Sequence, residues 1–105
     1  MTREMMETWL AARVPERPAA LAEQMSRSLA ACPASALGSA NSVAHAMGLV
    51  GAWVLTSVNA WEPQSTEVAL ELLAADAFVT YAFEAATEEN IAIGELAVRL
   101  LKEAA

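Results

Sequence analysis

From Ser28 to Trp61 the chain carries no Asp, Glu, Lys or Arg, and its only histidine, His45, is the one side chain there that titrates near neutrality. A stretch of that length without ionised groups belongs inside, because water-facing segments of soluble proteins are built largely from charged and polar residues. Every fourth residue within it is small, at Ala36, Ala40, Ala44, Gly48 and Ala52, and on a helix these fall on one smooth stripe where a second backbone can approach closely. The charge-free stretch is therefore expected to form a central helix that others pack around.

Composition sets the scale of that core. The chain has 105 residues, and its hydrophobic fraction of 56% exceeds the roughly 45–50% typical of soluble domains. A single domain over 1–105 is expected. Much of the excess is alanine, yet the larger apolar residues still exceed what a small monomer hides, so self-association, most simply as a homodimer, is expected to cover the remainder.

A membrane span is the alternative use of such a segment, and Val43 to Trp61 is long enough, with Trp53 and Trp61 as interfacial anchors. Against it stand His45, Thr56, Ser57 and Asn59, two diluting glycines, and the lack of any flanking Lys/Arg cluster. A water-soluble bundle with no membrane association is expected. The net charge is −7, with the cations scattered at Arg3, Arg13, Arg17, Arg27, Arg99 and Lys102, so no basic stripe forms to neutralise phosphates and nucleic acid is not an expected partner. One cysteine, Cys32, excludes an intramolecular disulfide. With one histidine beside it there is no structural zinc set, and no metal or other cofactor is expected. The unpaired thiol suits a reducing compartment. Glu4 and Glu7 in an N-terminus without a long apolar run argue against a secretory signal, so a cytoplasmic location is expected.

Prolines at 15, 18, 33 and 63 divide the chain into long segments with helical rather than strand periodicity. A first helix is expected from a Thr2 cap to about Arg13, ended by Pro15, and a second from Pro18 to about Ala31, with Leu21, Met25, Leu29 and Cys32 at helical spacing. The third, apolar nearly all round, is expected to start near Ser35 or Ser39 and to reach about Ala60. After a turn at Glu62-Pro63-Gln64-Ser65, a fourth helix capped by Ser65 or Thr66 should reach at least Ala86. Thr87-Glu88-Glu89 reads as a fresh N-terminus for a fifth, with Ile91, Gly94, Val98 and Leu101 on its apolar face. With neither Pro nor Gly between them, continuity of the fourth and fifth helices stays open. The expected fold is thus an all-α bundle of four to five helices around a central apolar one.

Few residues suggest chemistry. His45 lies in line with Asn41, Gly48, Ala52, Thr56 and Asn59, a polar-to-small track that could line a pocket. The ordinary reading is a core histidine bonded to a neighbour. Asp76 sits among apolar residues with Thr80, Glu84 and Thr87 stacked beyond it. The favoured reading is a solvated stripe. The other is a buried acid, which would need Arg13, Arg17 or Arg27 beside it. Trp53 and Tyr81 are candidate walls of an apolar cavity, with ordinary core filling as the alternative. No Glu-x-x-His pair, Gly-rich phosphate loop or nucleophile elbow is present. Whether the chain catalyses anything stays open, and no catalytic residue is assigned beyond the speculative His45 and Asp76.

Two functions are consistent with this pattern. The leading one is a non-catalytic helical interaction module that self-associates or docks on another protein, with Ala36, Ala40, Ala44, Gly48 and Ala52 as its seam. The alternative is a small hydrophobic-ligand-binding protein or small enzyme. Its pocket would lie between the third and fourth helices, with His45, Trp53, Asp76 and Tyr81 as ligand-binding residues.

Overall fold

In the computed structural model, residues 3–12, 18–38, 40–58 and 66–104 are described. They form five α-helices and one short 3-10 turn. These are α1 (Arg3–Ala11), α2 (Ala19–Ala31), the 3-10 turn (Ala34–Leu37), α3 (Val43–Val58), α4 (Thr66–Glu88) and α5 (Ile93–Ala104), with no strand among the described residues. The expected caps and breaks at Thr2, Pro15, Ser39, Glu62, Pro63, Gln64 and Ser65 lie outside the described residues, as do Asn59 and Trp61.

α3 is the centre. Every residue from Val43 to Gly51 is buried, and the helix touches each of the other four, α4 most extensively. The chain's radius of gyration, 12.9 Å, matches the value of about 13 Å for a compact chain of this length. Among the described residues of the charge-free stretch, the exposed ones are Ala30, Ala31, 33–35, Gly38 and Asn41 ahead of α3, and Leu55 and Thr56 near the end of α3. No described helix is long and apolar enough to cross a membrane.

The third helix begins at Val43, later than Ser35 or Ser39. Pro33 cannot continue α2, and Cys32 before it is extended, as a residue preceding proline prefers. The chain then tightens into the 3-10 turn, with Ala36 N–H donating to Pro33 O at 3.0 Å and Ala40 N–H to Leu37 O at 3.0 Å. Ser42 is the cap that the structure uses: its Oγ accepts the His45 N–H at 3.0 Å. Glu89 supplies the rest from the far end of α4, its carboxylate accepting the Val43 N–H at 3.3 Å and the Ala44 N–H at 3.0 Å. A helix leaves its first amide N–H groups without internal partners, and three of those of α3 are closed by these two side chains.

α4 and α5 are separate helices, and the break lies at Asn90, beyond Thr87-Glu88-Glu89. Asn90 adopts a left-handed φ of 59°. Around it Ile91 N–H donates to Ala86 O at 2.8 Å and Asn90 N–H to Thr87 O at 3.4 Å, the two bonds of a Schellman ending. Asparagine, which tolerates this conformation better than most residues, stands where glycine is commonest. The segment that reads as a new N-terminus is instead the last turn of α4.

The buried face of α5 also differs from expectation. Leu96 is fully buried and Leu100 packs on the core, whereas Val98 and Leu101 are exposed and nothing approaches Gly94. Glycines in α3 explain the choice. A Cβ on Gly48 would lie 2.5 Å from Leu100 Cδ2, so α5 settles where Leu100 fills the notch left by a missing side chain. Gly51 does the same for α4, where a Cβ would meet Ala75 O at 3.1 Å and Phe78 Cβ at 3.3 Å. α3 and α4 run antiparallel, since Gly51 meets the middle of α4 while Val43 and Ala44 meet its end.

Candidate functional site

An open groove of about 530 Å³ lies where α3, α4 and α5 diverge. Its floor is Gly48, Gly51 and Ala75, its walls include Leu55, Leu72, Val79, Phe83 and Leu101, and Asp76 is the one charged residue among the described residues that line it. The groove exists because the helices that meet here present small residues at the crossing, which leaves nothing large enough to fill the angle between them. Leu55, Leu72 and Leu101 are exposed at its margin, and Leu101 keeps 71% of its surface in water. Leu73 and Val98, also exposed, lie next to it on α4 and α5.

The outer face of α4 changes character along its length. Ala69, Leu72 and Leu73 are exposed in its first half, followed by exposed Asp76, Thr80, Glu84 and Thr87. The acidic half is the solvated stripe favoured from the sequence. Arg13 and Arg17 lie outside the described residues, and Arg27 instead pairs with Glu23 on its own helix at 3.3 Å.

A second cleft, about 420 Å³, opens on another side of α3, between α2 and the beginning of α4, and is lined by Gln24, Arg27, Ser28, Ala31, Trp53, Val54, Ser57 and Glu71. It is more polar. Gln24 and Ser28 are buried on α2 one turn apart, and Gln24 Nε2 donates to Ser28 Oγ at 3.2 Å. The Ser57 hydroxyl donates to Trp53 O at 3.0 Å.

The four residues weighed as ligand-binding do not converge. Asp76 lines the apolar groove and Trp53 the polar cleft. Tyr81 packs edge-on against Trp9 of α1, their ring centroids 5.8 Å apart, and Trp9 Nε1 donates to Glu88 at 3.1 Å. His45 is 4% exposed in the first turn of α3 and lines neither concavity, which fits a core histidine. Of the small-residue seam, Ala36 and Ala40 precede α3 and so do not extend its stripe, while Ala44 is fully buried within the chain. Gly48 is met by α5 of the same chain, and with Ala52 it lines the groove. Gly51, which the fourfold spacing passes over, makes the close approach to α4.

Cys32 is buried, and burial pushes its thiol pKa above the ordinary value, an effect that the nearby Arg3 guanidinium partly offsets. Arg3 Nη2 donates to the Cys32 carbonyl oxygen and so ties α1 to the end of α2. Among the described residues no three His, Cys, Asp or Glu side chains come together as a metal-binding group. Compared with known proteins, the chain matches no family, no curated protein and no solved structure.

Proposed function

We propose that this protein is a non-catalytic helical interaction module that self-associates through the groove between α3, α4 and α5. The observation that carries the reading is the exposure of Leu55, Leu72, Leu73, Val98 and Leu101 in and around one concave, nearly uncharged surface. Contiguous apolar surface of this kind is unfavourable in water, at about 25 cal/mol per Å², and typically marks an interface. A second copy is the occupant that the charge distribution favours. Two chains each at −7 repel one another over most of their surfaces, and this face brings a single acid, Asp76, to the contact. The face carries both a concavity and projecting leucines, so a two-fold axis lets the leucines of each copy enter the concavity of the other. A reducing, cytoplasmic setting accords with the lone thiol at Cys32.

Sedimentation velocity tests this. The wild-type protein is expected to be dimeric at high micromolar concentration. Leu101→Glu, at a position with little native packing to lose, is expected to be monomeric with an unchanged helical circular-dichroism spectrum. A strictly monomeric wild type overturns the reading, as does a Leu101→Glu variant that stays dimeric.

One observation favours a second reading. The groove's volume of about 530 Å³ lies within the roughly 300–1,000 Å³ of small-molecule sites, so an apolar ligand could occupy it with Asp76 as its polar handle. An apolar fluorescent probe that binds the monomeric Leu101→Glu variant with undiminished affinity would support this alternative.

A further inference from the structure

The polar cleft beside α2 has features that a purely structural seam does not require. Gln24 and Ser28 are 9% and 6% exposed, in a helix whose other buried residues, Met25 and Leu29, are apolar. A buried amide is costly unless its hydrogen bonds are made, and leucine-like residues at these two positions would close the gap with α3 and α4 more favourably. The bond from Gln24 Nε2 to Ser28 Oγ engages one of the amide's two N–H groups. Gln24 lines a cleft of about 420 Å³, enough for one ring system, and its amide carries a second N–H donor beside a carbonyl acceptor.

The remaining lining narrows the ligand. Trp53, half-buried, lines the same cleft, and indole rings hold flat π-systems by stacking. Arg27 and Glu71 line it with opposite charges, so the described residues of the cleft offer no net charge to an ion. A primary amide recognises in a bidentate way the edge of a ring that carries a donor beside an acceptor, as it does the N6/N7 edge of adenine.

We propose that the cleft between α2, α3 and the start of α4 is a binding site for a small, planar, uncharged heterocycle that carries an N–H donor beside a ring acceptor, read by Gln24 and stacked on Trp53. The site is separate from the groove between α3, α4 and α5, and its occupancy does not depend on self-association.

The test uses 9-methyladenine, which has the donor–acceptor edge, 9-methylpurine, which lacks the amino donor, and benzoate, a flat anion. Binding is read from the side-chain amide resonances of Gln24 and from Trp53 fluorescence in a Trp9→Phe, Trp61→Phe background. Saturable shifts with 9-methyladenine are expected, with affinity about tenfold or more above that for 9-methylpurine, the scale of one bidentate amide contact. Benzoate is expected to bind no better than 9-methylpurine. Gln24→Leu should abolish the discrimination while keeping the helical spectrum. Gln24→Glu, of nearly the same shape but without the donor, should reduce 9-methyladenine binding by a similar factor. No saturable shift with 9-methyladenine, equal affinity for 9-methylpurine, tighter binding of benzoate, or discrimination that survives in either variant overturns the proposal.

Discussion

The carboxylate of Glu89 sits on the first turn of α3 and accepts the Ala44 N–H at 3.0 Å, although the two residues are 45 positions apart in the chain. The turn that ends α4 thereby holds the start of the central helix. A negative group there is favoured both by the unpaired amides and by the helix dipole. Glu89→Ala should therefore cost about 1–2 kcal/mol, at the upper end for a cap because two N–H groups lose their acceptor. Thermal melts should show a fall of roughly 4–8 °C per kcal/mol for a domain of this size. Because Ser42 caps the same turn, Ser42→Ala and Glu89→Ala are expected to combine non-additively. Strict additivity would mean that the two caps act independently.

Asn90 tests the junction between α4 and α5. With φ at 59° it occupies the position where a Cβ is least welcome, so Asn90→Gly should be neutral or mildly stabilising. Asn90→Ala should cost about 1 kcal/mol, the penalty for an ordinary side chain in the left-handed region. If Asn90→Ala were as stable as Asn90→Gly in urea titrations, the Schellman ending would not govern this junction.

How much of this was legible beforehand follows from where each determinant lies. The burial of α3 was visible in the uncharged run from Ser28 to Trp61, because charge patterning is a local property of sequence. The start of α3 was not, since two of its three capped N–H groups are closed by Glu89, and alanines at 36 and 40 prolong a helical pattern that the backbone does not follow. α5 carries two apolar stripes, Leu96 with Leu100 and Val98 with Leu101, and periodicity alone does not rank them. The notch at Gly48 does. Likewise the sequence places His45, Trp53, Asp76 and Tyr81 on helices but not the angles at which those helices cross, and the crossings send them to four different surroundings. The Asn90 break had a sequence signal, since asparagine is the usual substitute for a C-terminal glycine.

Burial of Cys32 gives a pH dependence with a definite sign. Its thiol pKa is raised in the folded protein above the ordinary thiol value, chiefly by desolvation, while the unfolded chain ionises near that value. Above it the unfolded state holds fewer protons than the native state, so this contribution to stability is present at neutral pH and is lost as pH rises through the alkaline range. Cys32→Ala should flatten the alkaline limb of the stability profile. The native thiol should also react with alkylating reagents far more slowly than the unfolded one. Rapid native-state alkylation at neutral pH would contradict the buried placement.

The three helical glycines should respond differently to the same substitution, because two terms of similar size compete. Alanine in a helix gains about 1 kcal/mol over glycine, whereas overpacking a core costs about 1–3 kcal/mol. At Gly94 a Cβ meets nothing within 4 Å, so only the gain operates and Gly94→Ala should stabilise the protein. At Gly51 the Cβ would press on Val79 Cγ2 at 3.0 Å, on Ala75 O at 3.1 Å and on Phe78 Cβ at 3.3 Å. Two of these atoms are backbone or attached directly to it, so α3 and α4 must separate and the overpacking term should win. Gly48 lies between. Its clash at 2.5 Å is the closest of all, yet it is with the far end of the Leu100 side chain, which can rotate into the open groove. Gly48→Ala should therefore cost less than Gly51→Ala despite the shorter distance, and Leu100→Ala should remove most of that cost in a double-mutant cycle while leaving the cost at Gly51 untouched. Urea titrations of the three single variants that ranked Gly48→Ala as the most destabilising would show that α5 is held as rigidly against α3 as α4 is.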